Sequence, residues 1–95
     1  MAGYVIANVH VQDPEAYEQY KQMVPAIIER FGGHYLARGG RAEVVEGDLK
    51  SGRLIVLEFP TYEDALRWES SPEYAVAKQL RHACAVTEAI IIEGV

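Results

Sequence analysis

The sequence predicts an α+β domain with the element order βαββαβ, and three observations carry that prediction. Two segments repeat apolar residues at spacings of three and four, each entered through a capping residue followed by Pro. Apolar stretches rich in β-branched residues stand before, between and after them. Glycine pairs and Pro punctuate the junctions, with no linker, repeat or low-complexity tract between.

The first strand is expected over Tyr4–Val11. Val5, Ala7, Val9 and Val11 form one apolar face, and Tyr4, Ile6, Asn8 and His10 a mixed one. Asp13-Pro14 supplies an N-cap and a Pro at the first helical position. The stripe Ala16, Tyr17, Tyr20, Val24, Ile27, Ile28 and Phe31 then defines an amphipathic helix. Pro25 removes one backbone donor and predicts a kink or short break; Gly32-Gly33 ends the helix. A second strand region is expected over His34–Glu46, with a bulge or turn at Gly39-Gly40. Gly47–Gly52 reads as a polar hairpin loop into a third strand, Arg53–Phe59. Thr61 with Asp64 caps a short helix through Trp68, and Ser71-Pro72 restarts one with Tyr74, Ala77, Leu80 and Cys84 on its buried stripe. Val86–Glu93 is the last strand. Right-handed crossovers fold this order into a four-stranded antiparallel sheet with the helices on one face. The other face carries either Ile55 and Leu57 or Val56 and Glu58, depending on register, and needs a cover. A second copy is the simplest one, so a homodimer is expected.

Ninety-five residues make one domain, which buries only about 60–65% of the surface its unfolded chain exposes and gains from oligomerising. A net charge of −5 with scattered Lys and Arg would repel phosphate backbones, which argues against nucleic acid as a partner. No apolar run is long enough to cross a membrane, and no signal peptide is visible. A lone Cys84 makes no internal disulfide and points to a cytoplasmic protein.

Glu58 is the first candidate for chemistry, because a carboxylate inside an apolar strand must be solvated, paired or used. It fits a general base, or a structural ion pair with Arg38 or Arg53. Arg38, just before Gly39-Gly40, fits a clamp on a substrate carboxylate, or a partner for Glu58 or Glu46. Asn8 and His10 share a strand face and either line a pocket or lie on a half-solvated seam. Trp68 is a pocket wall or a core anchor. His10, His34 and His82 lack metal-ligand spacing, so no metal is expected.

Taken together, Tyr4-Val5-Ile6, Asp13-Pro14-Glu15, Gly32-Gly33, Arg38-Gly39-Gly40, Glu58-Phe59-Pro60, Trp68, Ser71-Pro72-Glu73-Tyr74, Arg81 and Glu93-Gly94-Val95 make the whole chain resemble the domain-of-unknown-function 1330 family. That resemblance implies the dimeric α+β barrel superfamily: a ferredoxin-like monomer whose sheet pairs with a second copy's. It implies no reaction, because the superfamily spans haem-degrading and quinol monooxygenases, muconolactone isomerases and regulatory modules. Asn8 and Trp68 match the haem-degrading pattern, but its iron-ligand position falls on Lys78, whose protonated amine has no lone pair to give. His82, one turn on, is a weak substitute.

The expectation is therefore a cytoplasmic homodimer without a cofactor. Asn8, His10, Arg38 and Trp68 would hold a small organic molecule between sheet and helices, with an anion suiting Arg38. Glu58 would be the catalytic base of a proton transfer or isomerisation. A non-enzymatic ligand-sensing or structural dimer is the competing class, and haem-degrading or quinol monooxygenase-like activity a third.

Overall fold

Local signals place the elements of the computed structural model, which describes residues 1–95, and the sheet register decides what each strand residue faces. The elements are β1 (Gly3–Val11), α1 (Pro14–Arg30), β2 (His34–Arg38), β3 (Arg53–Phe59), α2 (Tyr62–Ser70), α3 (Pro72–Cys84) and β4 (Ala85–Glu93). All neighbours in the order β2-β3-β1-β4 are antiparallel. This is the ferredoxin-like arrangement.

Each helix starts where a side chain satisfies a free backbone N–H. Asp13 Oδ1 accepts from Ala16 N at 3.3 Å, and Thr61 Oγ1 accepts from Asp64 N at 3.0 Å. Ser71 serves two helices at once. Its hydroxyl donates to Trp68 O at 2.8 Å, closing α2, and accepts from Tyr74 N at 3.1 Å, opening α3. The end of α1 is a Schellman motif: Gly33 N donates to Ile28 O and Gly32 N to Glu29 O, both at 3.0 Å. Gly32 sits at φ +81°, a conformation only Gly adopts without strain.

Two local expectations are corrected. The short break at Pro25 does not occur: α1 continues to Arg30, because the missing N–H costs one bond while Val24, Ile27 and Ile28 remain buried on either side. The second strand stops at Arg38 instead of reaching Glu46. Gly39 turns at φ +67° and donates a cross-strand bond to Leu54 O at 2.8 Å; β3, the only neighbour of this edge strand, begins at Arg53, so residues 41–46 have no strand to pair with. Of the bulge or turn expected at Gly39-Gly40, the turn is found there, and a separate bulge lies between Tyr35 and Ala37.

Pairing fixes the two sheet faces. Val9 stands between Arg53 and Thr87, Ala7 between Ile55 and Ala89, and Val5 between Leu57 and Ile91. This is the helix-covered side; Leu57 and Phe59 are buried there, with Phe59 fully so. The opposite parity (Tyr4, Ile6, Asn8, His10, Val56 and Glu58) faces away from the helices. On that side Ile6, Val86, Ile90 and Ile92 are 40%, 62%, 59% and 50% exposed, an apolar surface that nothing in the monomer covers.

Candidate functional site

A cavity of about 220 Å³ lies between the helix-facing side of the sheet and the helices. Its floor is the central rows of the sheet: Val5, Ala7, Val9, Ile55 and Leu57. Its walls carry four aromatic rings, those of Tyr20, Tyr35, Trp68 and Tyr74. Trp68 is held in place from both sides, its ring 4.2 Å from that of Tyr74 and 5.4 Å from that of Phe59. Tyr20 and Tyr74 share a hydrogen bond of 2.7 Å between their hydroxyls. Burial, followed by the neighbouring Tyr74, raises the Tyr20 pKa far above the ordinary phenol value, so Tyr20 stays protonated.

The polar atoms of this cavity are unusual as a set. Three buried side-chain atoms in the protein have no hydrogen-bond partner: Arg53 Nε, Trp68 Nε1 and Thr87 Oγ1. All three residues line this one cavity. Arg38 and Arg81 line it too, and no carboxylate lies within ion-pair distance of Arg38, Arg53 or Arg81. The one carboxylate on the wall, Glu69, is ion-paired with Lys78. The wall is thus rich in donors and positive charge, with no free base.

The bulge at Leu36 puts Arg38 here. Tyr35 pairs with Leu57, Ala37 with Val56 and Arg38 with Ile55, so Tyr35 and Arg38 share the helix side although they are three residues apart. The Arg38 guanidinium lies 4.3 Å from the centre of the Tyr35 ring.

The five residues singled out from sequence therefore divide between the two sides of the sheet. Arg38 and Trp68 line the cavity; Asn8, His10 and Glu58 do not. Glu58 is paired neither with Arg38 nor with Arg53. It sits in one row with its cross-strand neighbours His34 and Tyr4, accepting from Tyr4 Oη at 3.1 Å and lying 3.0 Å from His34 Nε2. The Glu58 carboxylate raises the Tyr4 pKa, first through that hydrogen bond. Asn8 is a clamp on the 39–52 segment: its Nδ2 donates to Lys50 O at 3.0 Å and its Oδ1 accepts from Gly52 N at 2.8 Å. His10 borders a shallow groove with Gln12, Lys50 and Glu88. No three His, Cys, Asp or Glu side chains converge as metal ligands would. Lys78, at the position the haem pattern gives to an iron ligand, is tied to Glu69.

Sequence reasoning passed over Arg53, Arg81 and Thr87 as site residues. Parity held a usable signal for two of them. Arg53 has the parity of Ile55, Leu57 and Phe59, and Thr87 that of Ala89 and Ile91, which makes both polar intruders on an apolar face.

The family model for "Domain of unknown function (DUF1330)" matches residues 2–95. The chain belongs to the DUF1330 family. Among solved structures, this DUF1330 domain is similar to a protein of unknown function from Rhodopseudomonas palustris, with a TM-score of 0.79 and 19% identity over 99% of this chain and 82% of that one. It is similar to SnoaB, a cofactor-independent oxygenase from Streptomyces nogalater (TM-score 0.66, 11% identity, 99% and 93% covered). A protein of Nitrosomonas europaea, provisionally described as an antibiotic biosynthesis monooxygenase, matches with a TM-score of 0.63 and 16% identity, 100% and 99% covered. At these identities the likeness is one of fold. No functionally curated protein matches the chain significantly. No helix is long and apolar enough to cross a membrane.

The buried tyrosine gives a pH prediction. Tyr20 keeps its proton in the folded state, while in the unfolded chain a tyrosine ionises near pH 10. Its stabilising contribution is therefore complete below about pH 10 and shrinks as pH rises further, by about 1.4 kcal/mol per pH unit. Urea denaturation at pH 9 and pH 11 should show Tyr20→Phe losing less stability between the two than wild type does. An equal loss in both proteins would contradict the assignment.

Proposed function

We propose that this DUF1330 domain binds a small anionic organic molecule in the cavity between sheet and helices. The observation that carries the reading is the meeting of all three orphaned buried polar atoms in one cavity. A buried donor without a partner costs about 1–3 kcal/mol, in a fold whose whole stability is of order 5–15 kcal/mol. A ligand that brings acceptor oxygens removes that cost, and the unpaired guanidiniums favour a negative one.

The chemistry of the wall limits what can happen to the ligand. Glu58 is on the far side of the sheet, Glu69 is engaged, and Tyr20 is held protonated, so side-chain proton abstraction is poorly served. What the wall does supply is stabilisation of negative charge on oxygen by fixed donors. That suits a binding or sensing role. It also suits a second reading, favoured by the shared fold with SnoaB: cofactor-independent oxygenation of a substrate whose oxygen those donors would hold. A non-enzymatic module differs from this only in lacking turnover.

Ala7 lies at the centre of the floor, and Ala7→Leu fills the cavity with little loss of packing because the space is already there. Native mass spectrometry of freshly purified protein should show a small organic acid on wild type and none on Ala7→Leu. The same acid should raise the wild-type melting temperature in proportion to its occupancy. If no small molecule accompanies or stabilises wild type, or if Ala7→Leu binds undiminished, the reading fails.

We further propose that the apolar outer sheet face of Ile6, Ile90 and Ile92 is covered by a second copy, and that the protein resides in the cytoplasm, where its free, buried Cys84 stays reduced. A sheet-on-sheet contact reaches the roughly 1,600 Å² typical of a specific interface. Sedimentation at micromolar concentration should give a dimer for wild type and a 10.6 kDa species for Ile92→Lys. A 10.6 kDa wild-type species would refute it.

A further inference from the structure

The orphaned donors are distributed in a way that narrows the ligand further, given that the cavity is a ligand site. Val9 is paired with Arg53 on one side and Thr87 on the other, so these two stand in one row across the helix-facing side. With strands about 4.8 Å apart, their backbones are roughly 10 Å from each other, and both side chains border the cavity. Arg38, on the neighbouring strand, pairs with Ile55, one row along the same face from Arg53. Two guanidiniums without carboxylates and one unpartnered hydroxyl thus gather at one end of β3. Trp68 packs on Phe59, toward the other end of that strand, and its side chain and that of Arg53 border the same small cavity. The indole is only 4% exposed, yet its N–H has no acceptor. Between the two ends lie apolar strand residues and the rings of Tyr20, Tyr35 and Tyr74.

We propose that the ligand is a single-ring carboxylate bearing a second acceptor oxygen at the far side of the ring. The carboxylate lies against Arg53, Arg38 and Thr87, and the distal hydroxyl or carbonyl oxygen accepts from Trp68 Nε1. Charge decides the orientation: Arg53 and Arg38 stand at one end, Arg81 lies against Tyr20 and Tyr74 along the wall, and Trp68 offers only a neutral donor. Size decides the single ring. A dry cavity of about 150 Å³ already takes benzene, and drug-sized ligands need about 300 Å³ or more, so about 220 Å³ holds one substituted ring. The aromatic walls favour a flat one.

Trp68 is the only Trp of the chain, so its fluorescence reports the distal end of the site directly. The probe is 4-hydroxybenzoate, compared with 4-hydroxybenzamide, which lacks the charge, and with benzoate, which lacks the distal oxygen. Wild type should bind 4-hydroxybenzoate saturably with a change in Trp68 emission. The amide should bind about 10- to 100-fold more weakly, as expected for a lost charge-assisted contact. Benzoate should lose about 2- to 10-fold, the size of a neutral hydrogen bond. Calorimetry on Trp68→Phe should then find benzoate and 4-hydroxybenzoate equivalent, and Arg53→Gln should lose the preference for carboxylate over amide. Equal binding of acid and amide by wild type overturns the proposal, and so does a preference that survives Arg53→Gln. The three probes on wild type decide the matter even where a variant folds poorly. If ring carboxylates fail to bind while another acid accompanies wild type and is lost in Ala7→Leu, this inference falls and the cavity reading stands. If nothing binds, both fall.

Discussion

Each side chain of β3 has only two places to go, and that constraint organises the protein. Strand geometry sends alternate residues to opposite faces, so Arg53, Ile55, Leu57 and Phe59 go to the helices and Leu54, Val56 and Glu58 go to the outer face. Phe59, fully buried, fixes which set goes inward. Once it does, Glu58 cannot share a cavity with Arg53, and its partners must come from its own row across the sheet. Tyr4 and His34 are those partners. A one-residue slip would bury the carboxylate and expose Phe59, which no plausible pairing could offset.

The same constraint explains why one short irregularity matters. Without the bulge at Leu36, Arg38 would project to the outer face together with Glu58, and the pair imagined from sequence would be feasible. With the bulge, Arg38 turns inward beside Tyr35 and joins Arg53. The cavity thereby gains a further uncompensated cation beside Arg53 and Arg81, and the outer face keeps a self-contained Glu58 cluster. The two sides of the sheet then have different chemistry: an inner wall of donors and aromatic rings, and an outer face whose Ile and Val lie between the Tyr4, Glu58 and His34 row and a second polar group of Asn8, Glu88 and His10. Asn8, the remaining buried polar side chain of β1, spends both ends of its amide on the backbone at Lys50 and Gly52, which secures the start of β3.

Most of the fold was legible because its signals are local. Asp13-Pro14, Thr61, Ser71-Pro72 and Gly32-Gly33 mark helix ends through backbone hydrogen bonds that depend on few distant residues, and the Arg53–Phe59 strand is found with the expected bounds. The extent of β2 was not legible, because whether Glu43–Glu46 forms a strand depends on how far its one neighbour, β3, extends, and β3 begins only at Arg53. The candidate site was read only in part. Trp68 and Arg38 line the cavity, yet Arg38 does so through a bulge whose position no residue type announces. Glu58 drew attention as an acid in an apolar run, but the run is apolar on both faces, so composition alone could not tell an inner carboxylate from an outer one. Parity with Phe59 could have, and it would have singled out Arg53 and Thr87 as well.

The claim that the sheet separates Glu58 from the cavity cations is open to one direct measurement. A double-mutant cycle of Glu58→Gln and Arg38→Met, followed by urea denaturation, should be additive to within about 0.3–0.5 kcal/mol, because the two side chains stand on opposite faces and share no partner. The parallel cycle of Glu58→Gln with Tyr4→Phe should be non-additive, because those side chains are hydrogen-bonded. Coupling of more than about 1 kcal/mol between Glu58 and Arg38 would mean that they meet on one face, and the division of the molecule described above would be wrong.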